Sequence, residues 1–552
     1  MRVDKLHLPA YRNLRNFLID FDEDSPRTVL IGRNGVGKTN ILEALTSIFR
    51  QLDLRVKPTF AYRIRYSCNN YIIDVEAASD ELAISLLKMV YYIKRVEGTS
   101  EATTEIDQPE SSAWDTSAFE EMSEAAFYRL NDQIRILPKH VFGYYSGTSR
   151  RLRDLFVDHT EKYRDELIAG EEETIRPLFL AEDWHSQFVL LAFYAKNDPE
   201  IRKFLLDQLG IEGLESVLFI LQEPHWHSRD PSPQVQERGD KRYWWATGTV
   251  KRLLGELHRV AVAPMQTTER VPFGIRRHRT KERRYCYVKS AADLISLAAG
   301  IDQKELFKRL ESTVLSDLLH EVRIRFRVSG SEQLLNFTDL SEGEQQLLTV
   351  LGLLRFTNQD ESLFLLDEPD THLNPAWCLD YLDILTQYGG GLTKSQIIMT
   401  THSPLVFAGL EKNEVIILRR RIAEREIEAE HPSSSPKGMG FSAILTSDFF
   451  GLRSSLDRAS LKLLDEKRQL GALSSRTPQE EGRLLELNTK IKSLDFTKSV
   501  NDPLYADFVR AMADIEMNEP ELGEVVLSAD ALEQRRRRAA EALQRVKARR
   551  DV

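Results

Sequence analysis

Apolar residues cluster near the two ends of this chain in runs that alternate between strand-like and helix-like spacing. Thr28-Val-Leu-Ile31 reads as a short buried strand, and Asn40-Ile-Leu-Glu-Ala-Leu45 carries its apolar residues at helical intervals. Far downstream, Leu363-Phe-Leu-Leu366 and, after Gln396, Ile397-Ile-Met399 are unbroken apolar runs, the pattern of parallel strands covered on both faces. Ahead of both, a helical apolar run follows Gln346. Strands alternating with helices at both ends predict an α/β fold. The stretch from about 80 to 325 reads as mainly helical, with helical runs over Asp80 to Tyr92 and Glu200 to Leu221 and two helical hairpins among irregular segments. Glu97 to Ser117 is polar and reads as a loop or disordered. No sustained heptad and no internal repeat is visible, which excludes a long coiled-coil arm. Past residue 425 a polar linker, Glu428 to Gly440, leads to charged, leucine-bearing helices from about 456 to 495, broken near Ser474-Ser475-Arg-Thr-Pro478 into a hairpin. The tail is basic, with Arg535 to Arg538 and then Arg545-Val-Lys-Ala-Arg-Arg550: a solvated end, a nucleic-acid contact or a dock for an acidic partner.

A chain of 552 residues exceeds what one core usually serves, so two or three structural units are expected. Hydrophobic residues at 42% and charged residues at 29% argue against wholesale disorder. The net charge of −10 gives no bulk attraction to nucleic acid, so any basic surface is local. Cys68, Cys286 and Cys378 are scattered, which excludes a zinc ribbon or a disulfide framework and suits a reducing cytoplasm. Charge interrupts the first residues before any apolar core forms, unlike a signal peptide, and no stretch approaches the roughly 20 apolar residues of a membrane helix. A soluble, cytoplasmic protein with no membrane contact is expected.

The chemistry sits at the ends of the apolar runs. Gly32-Arg-Asn34-Gly35-Val-Gly37-Lys38-Thr39 lies between the first strand and the first helix, the setting a phosphate-binding loop requires. Its glycines let backbone N–H groups turn toward a phosphate, and the helix N-terminus adds partial positive charge. Asn34, Gly35, Gly37, Lys38, Thr39 and Asn40 are the expected contacts to ATP, with Lys38 at the β/γ-phosphates and the Thr39 hydroxyl on Mg²⁺. Leu363-Phe-Leu-Leu-Asp367-Glu368 delivers two carboxylates at the C-terminal end of a strand, where ligands bind in open α/β sheets. Asp367 is expected to hold Mg²⁺ through water, and Glu368 to take a proton from the attacking water. His402 ends the next apolar strand and reads as a γ-phosphate contact. Ser341 followed by Glu344 is a capping-box pattern, and a capped helix N-terminus is also a place for an anion.

Taken in order, Tyr11-Arg12-Asn13-Leu14, the phosphate loop, Leu340-Ser341-Glu342-Gly343-Glu344-Gln345-Gln346, Asp367-Glu-Pro-Asp370-Thr-His-Leu-Asn-Pro375 and His402 resemble the SMC/RecF-like branch of the ABC-type ATPases, over roughly residues 1–75 and 330–420. The resemblance implies a first ATPase lobe in residues 1–80, an insertion over 81–325 that includes a lobe-joining strand near 140–147, a second lobe over 326–425 and a helical extension over 426–552. It also implies head-to-tail dimers in which Ser341 and Gly343 face the γ-phosphate held by the partner's loop, with Asp370 crossing the interface. Arg12 lies against the adenine or is a solvated arginine beside the first strand. In the family a glutamine ends the lobe-joining strand. Here Val141-Phe-Gly-Tyr-Tyr145-Ser146-Gly147 offers Ser146, which implies slow hydrolysis or action through backbone and hydroxyl.

Four shorter segments, Tyr144 to Arg151, Asp183 to Ala192, Trp244 to Gly248 and Leu445 to Leu452, resemble the ATPases of Septu anti-phage systems and their relatives encoded with retrons. That resemblance implies a separate His-Asn-His nuclease partner, in some systems also a reverse transcriptase and its DNA–RNA product. No nuclease pattern stands in this chain: the segment after 405 lacks the acid-rich arrangement of a Toprim fold. Two other functions stay open, a RecF-like repair ATPase that binds DNA directly and a nucleotide-locked scaffold with little turnover. Arg276-Arg277-His278-Arg279 with Lys281, Arg283 and Arg284, running into Tyr285-Cys-Tyr287-Val288, reads either as a nucleic-acid contact or as a hairpin edge guarded by charge. His225-Trp226-His227 has no nearby Asp or Cys in sequence and reads as a loop.

Overall fold

The structure is a computed structural model that describes residues 1–22, 24–80, 83–96, 114–147, 150–170, 176–196, 198–227, 231–272, 278–421, 426–471, 473, 475–494, 537–538 and 540–546. Met1–Phe450 form one compact unit and Gly451–Val552 a second.

In the first unit the early strands are β1 (Arg2–Tyr11), β2 (Leu14–Asp20), β3 (Arg27–Gly32), β4 (Tyr62–Cys68), β5 (Tyr71–Asp80), β6 (Ala83–Arg95), β7 (Glu120–Met122), β8 (His140–Tyr145) and β9 (Leu178–Leu180). The later ones are β10 (Ile211–Gln222), β11 (Val262–Pro272), β12 (His278–Val288), β13 (Leu319–Val328), β14 (Leu334–Asn336), β15 (Ser362–Asp367), β16 (Ser395–Thr400), β17 (Val415–Arg420) and β18 (Ile427–Glu430). Seven of them make the central sheet in the order β18-β17-β3-β16-β15-β8-β9. All its pairings are parallel except the edge pair of β17 and β18.

Period-two alternation along these continuous apolar strands feeds two separate cores. Val29 and Ile31 enter one core while Leu30 enters the other, and β15 divides the same way, Phe364 and Leu366 against Leu363 and Leu365. One core is closed by the helix Lys38–Leu54 and by the antiparallel sheet β2-β1-β4-β5-β6-β7. The other is closed by the helices His185–Ala195, Gln303–Leu315, Glu342–Thr357 and Pro375–Tyr388. A sheet buried on both faces explains why its strands carry no polar alternation. The fold is α/β, as expected.

Two elements differ from the expectation. Asp80 to Tyr92 is not a helix: Ala83–Arg95 is a strand, paired antiparallel with β5. Its far half alternates, with Tyr91 and Ile93 buried and Tyr92 and Lys94 less so, and aromatic and β-branched residues there suit a half-covered sheet. Glu200 to Leu221 is helical only over Pro199–Leu209. Gly210 caps that helix in the left-handed region at φ +65°, and the chain continues as β10. Residues 81–325 are not mainly helical: helices cover less than half of them, and the region also holds most of a five-stranded antiparallel sheet, β11-β12-β10-β13-β14. The hairpin strand expected at Tyr285 to Val288 is there, as the end of β12 against β11. Most of the polar stretch from Glu97 falls at 97–113, outside the described residues.

In the second unit, Arg458–Gly471 and Pro478–Ser493 are the two helices of the expected hairpin. Thr477 and Glu480 form a capping box at the start of the second, and Arg483 binds Glu466 of the first at 2.7 and 2.9 Å. Of the basic tail, Arg535, Arg536 and residues 547–550 lie outside the described residues. No helix among the described residues is long and apolar enough to cross a membrane.

Candidate functional site

The parallel register brings the distant motifs to one edge of the central sheet. Leu30 of β3 pairs with Thr400 of β16, Thr400 pairs with Asp367 of β15, and Asp367 pairs with Tyr145 of β8. The phosphate loop, both acids, His402 and the loop after Tyr145 therefore leave the sheet side by side, at the ends where α/β sheets bind ligands.

The loop itself turns through Gly37, whose φ of +92° lies in the left-handed region. A Cβ there would stand 2.8 Å from Leu14 Cδ2 and 3.0 Å from Asn13 Oδ1, so only glycine lets the tyrosine-arginine-asparagine-leucine turn pack beneath the loop. Asn13 Nδ2 donates to the Gly35 carbonyl at 2.9 Å, and Arg420, at the end of β17, donates to the same oxygen at 3.0 Å. Asn34 and Gly35 are left exposed at the loop tip. Lys38 is buried, and its ammonium donates to the Gly32 carbonyl and to His402 Nε2, both at 2.9 Å. Burial lowers the Lys38 pKa, against the pull of Glu368 and Asp367.

Thr39 Oγ1 donates to Asp367 Oδ2 at 2.8 Å, and Thr400 Oγ1 donates to Asp367 Oδ1 at 2.5 Å. Burial raises the Asp367 pKa, while the two threonine hydroxyls oppose it. Glu368 is half-buried with a left-handed φ of +51°, unusual for a residue with a side chain. Its Oε1 lies 3.0 Å from His402 Nε2. Burial first, and then Lys38, push the His402 pKa below its ordinary value, while Glu368 and Asp367 pull the other way. The convergence of a hydroxyl with a carboxylate is a set of hard oxygen donors, and it fits Mg²⁺.

β8, the strand read as joining the lobes, pairs in parallel with β15. Ser146 N donates to the Asp367 carbonyl at 3.3 Å, and its hydroxyl lies 3.3 Å from Thr371 Oγ1. Ser341 is exposed and caps the helix Glu342–Thr357 with a complete capping box: its Oγ accepts from Glu344 N, and Glu344 Oε2 accepts from Ser341 N at 2.7 Å. Gly343 is buried, and a Cβ on it would stand 2.5 Å from the His372 carbonyl oxygen. The signature helix thus packs its own backbone onto the loop that follows the acids. His372 Nδ1 also lies 3.2 Å from Glu342 Oε2.

Asp370, expected to cross a subunit boundary, is buried within the single copy. Its Oδ2 accepts from Thr401 Oγ1 at 2.7 Å, while Thr371, His372 and Asn374 are exposed in the same loop. Arg12 is half-exposed and its Nε lies 2.7 Å from Glu43 Oε2, a fully buried carboxylate that Arg151 also meets at 2.9 Å. Arg151 donates to Asn40 Oδ1 at 2.7 Å, which ties the phosphate-loop helix to the segment after Ser146. Sequence reasoning missed Glu43, Arg151, Thr400 and Thr401. Only the paired threonines before His402 left a signal.

Of the basic cluster, the described side chains Lys281, Arg283 and Arg284 are engaged within the fold. Arg283 is buried, with Nη1 3.4 Å from Gln222 Oε1, and Arg284 pairs with Glu282 at 2.9 Å and lies over Tyr243 and Trp244. Arg276 and Arg277 lie outside the described residues. His225 Nδ1 lies 3.2 Å from Asp317 Oδ2, and Trp226 Nε1 donates to the Ser316 carbonyl, a loop arrangement.

Two family models match the chain, "AAA ATPase domain" over residues 1–176 and "AAA domain, putative AbiEii toxin, Type IV TA system" over 222–408. The Septu protein PtuA of Bacillus mycoides (strain KBAB4) is 33% identical over 165 residues, which cover 27% of this chain and 22% of that protein. The chain thus spans less than a quarter of that relative's length. Among solved structures, an SMC head bound to the C-terminal winged-helix domain of ScpA matches at 12% identity and a TM-score of 0.32, covering 78% of this chain and 98% of that one. The SMC head domain from Thermotoga maritima matches at 12% identity and a TM-score of 0.31, covering 78% and 100%. With its phosphate loop, signature helix, acidic strand and histidine in this arrangement, the chain resembles the SMC/RecF-like ABC ATPases and, among curated proteins, the Septu protein PtuA.

Proposed function

We propose that this chain binds and hydrolyses ATP between two head-to-tail copies, and that the ATP-clamped state controls a separate partner nuclease in anti-phage defence. The observation that carries the nucleotide part is the meeting of Lys38 with His402 and of Thr39 with Asp367, pairs brought together from opposite ends of the first unit. Loop N–H groups and Lys38 bind the phosphates. Thr39 and Asp367 would hold Mg²⁺, which when bound neutralises phosphate charge. Glu368 takes the proton of the attacking water, and His402 contacts the γ-phosphate. His402 Nε2 has one bond to make and two neighbours. When a phosphate engages Lys38, that nitrogen is free to hold a proton toward Glu368.

Exposed Ser341 on a capped helix N-terminus supports the shared site, because its orphan N–H groups favour an anion brought by another copy. Likeness to a Septu protein supports the defence role. A coupling of about 1–3 kcal/mol between ATP and nuclease binding is enough for such control. In assemblies encoded with a retron, a reverse transcriptase and its DNA–RNA product join as further partners. Phosphate release by wild type, Lys38→Ala and Glu368→Gln tests the enzyme. Turnover must vanish in both variants, with ATP binding lost only in the first. Mass measurement of the native complex with and without ATP tests the partner, and recovery of no nuclease in either state would sink that part.

A second reading is favoured by one observation, Ser146 where the family has a glutamine. In it ATP locks the assembly as a scaffold and turnover is incidental. Full defence in cells by Glu368→Gln, with defence lost in Lys38→Ala, would select it. Direct DNA loading predicts salt-sensitive binding that is lost when the arginines between 276 and 284 are neutralised.

A further inference from the structure

Thr400 ends β16 and is fully buried, and its hydroxyl meets both acidic residues that end and follow the neighbouring strand. Its Oγ1 donates to Asp367 Oδ1 at 2.5 Å. The same oxygen accepts from the Glu368 backbone N–H at 3.1 Å, an N–H that also points at the Thr400 carbonyl at 3.1 Å. A hydroxyl has one proton to give and lone pairs to receive, so it serves both residues without conflict. Asp367 is thereby held at both oxygens: Oδ1 by Thr400 from within the sheet and Oδ2 by Thr39 from the phosphate loop.

We propose that Thr400 is a positioning residue for the magnesium-dependent step. It fixes the Asp367 carboxylate so that one oxygen is committed to the protein and the other is presented beside Thr39, and it pins the backbone of Glu368 in its left-handed conformation. The inference rests on the reading of Asp367 as a magnesium-holding residue. A valine at position 400 keeps the shape and removes the hydroxyl, leaving Asp367 Oδ1 buried with no donor. A carboxylate in that state turns to find another partner, and Oδ2 leaves its place beside Thr39. Glu368 keeps the carbonyl of residue 400 as acceptor, so the backbone path itself survives in the variant.

The test compares wild type, Thr400→Val and Thr400→Ser as full-length proteins, using a fluorescent ATP analogue titrated in EDTA and again across a range of Mg²⁺. Thr400→Val is expected to bind the analogue in EDTA as wild type does and to need about tenfold more Mg²⁺ for the metal-dependent gain, the usual scale for losing an outer partner of a metal ligand. Thr400→Ser keeps the hydroxyl and is expected to restore the wild-type requirement. An unchanged Mg²⁺ requirement in Thr400→Val, in a wild type that does show the gain, overturns this inference and leaves the nucleotide site standing. Equal loss of binding in EDTA by both variants assigns Thr400 to packing and overturns it too. Absence of any Mg²⁺-dependent gain in wild type overturns the magnesium reading and this inference with it.

Discussion

The Lys38 ammonium and the His402 imidazole meet at 2.9 Å although 364 residues separate them in the chain. Lysine has only protons to give, so Nε2 of the histidine accepts, and that nitrogen is then unable to donate to Glu368 at 3.0 Å. The proposed function gives the two residues separable roles, Lys38 in holding phosphate and His402 in the chemistry. His402→Ala is expected to lower phosphate release on the order of 10²-fold, the scale of losing one oriented donor, while ATP affinity stays close to wild type. Parallel binding and turnover measurements check this. Equal losses in both would make His402 a binding residue.

Stability is expected to fall on the acid side of neutrality. Burial holds His185 well below its ordinary pKa, with Arg176 adding to the effect, and burial also lowers His140. The unfolded imidazoles take up protons below about pH 6.5, whereas the folded ones stay neutral, so the unfolded state binds more protons and gains as pH drops. Glu311, raised by burial, works in the opposite sense, since its folded carboxyl keeps a proton that the unfolded one has released. Thermal midpoints from pH 8 to 5.5 should decline below that value, and His185→Gln should flatten the slope. A parallel decline in wild type and variant would assign it to other groups.

The nucleotide site was legible because its parts are written in contiguous residues. Gly32 to Thr39 needs no tertiary information, and neither do Leu363 to Glu368 or the capping box at Ser341. What was not legible depends on pairing across distance. Thr400 acts only because β16 sets it beside Asp367, and Glu43 only because turns from elsewhere bring Arg12 and Arg151 onto it. The misread elements share a cause. The apolar residues from Asp80 to Tyr92 fit both periods, and the hairpin with β5 decides between them. The helical reading from Glu200 ran through Gly210, where the chain leaves the helix to become the middle strand of a sheet completed about a hundred residues later.

Ser341 has two possible duties, capping its helix and facing a phosphate held by another copy, and one substitution separates them. Ser341→Ala loses the cap and should cost about 0.5–2 kcal/mol, while Ser341→Asp keeps the cap but loses the hydroxyl's donation to Glu344 Oε2 at 2.8 Å, so both should lower the thermal midpoint modestly. The added negative charge of the aspartate would also oppose the partner's phosphates. Ultracentrifugation of Ser341→Asp should therefore find monomers in ATP where Glu368→Gln, unable to turn over, gives dimers. Dimers of Ser341→Asp in ATP would show that this helix end does not face the phosphate.

Head-to-tail sharing makes a stronger prediction for mixtures of two dead variants. Lys38→Ala loses its phosphate loop but keeps its signature helix, and Ser341→Asp is the reverse. In a mixed dimer one composite site carries both lesions and the other carries neither. Each mixed dimer has one intact site of two, so equal amounts restore about one quarter of the wild-type sites if pairing is random and about one half if only mixed pairs form. Phosphate release from the mixture should rise into that range while each variant alone stays silent. If each chain instead encloses its own nucleotide, every site in the mixture contains a lesion and no activity returns. The outcome turns only on which copy's signature helix serves which phosphate loop.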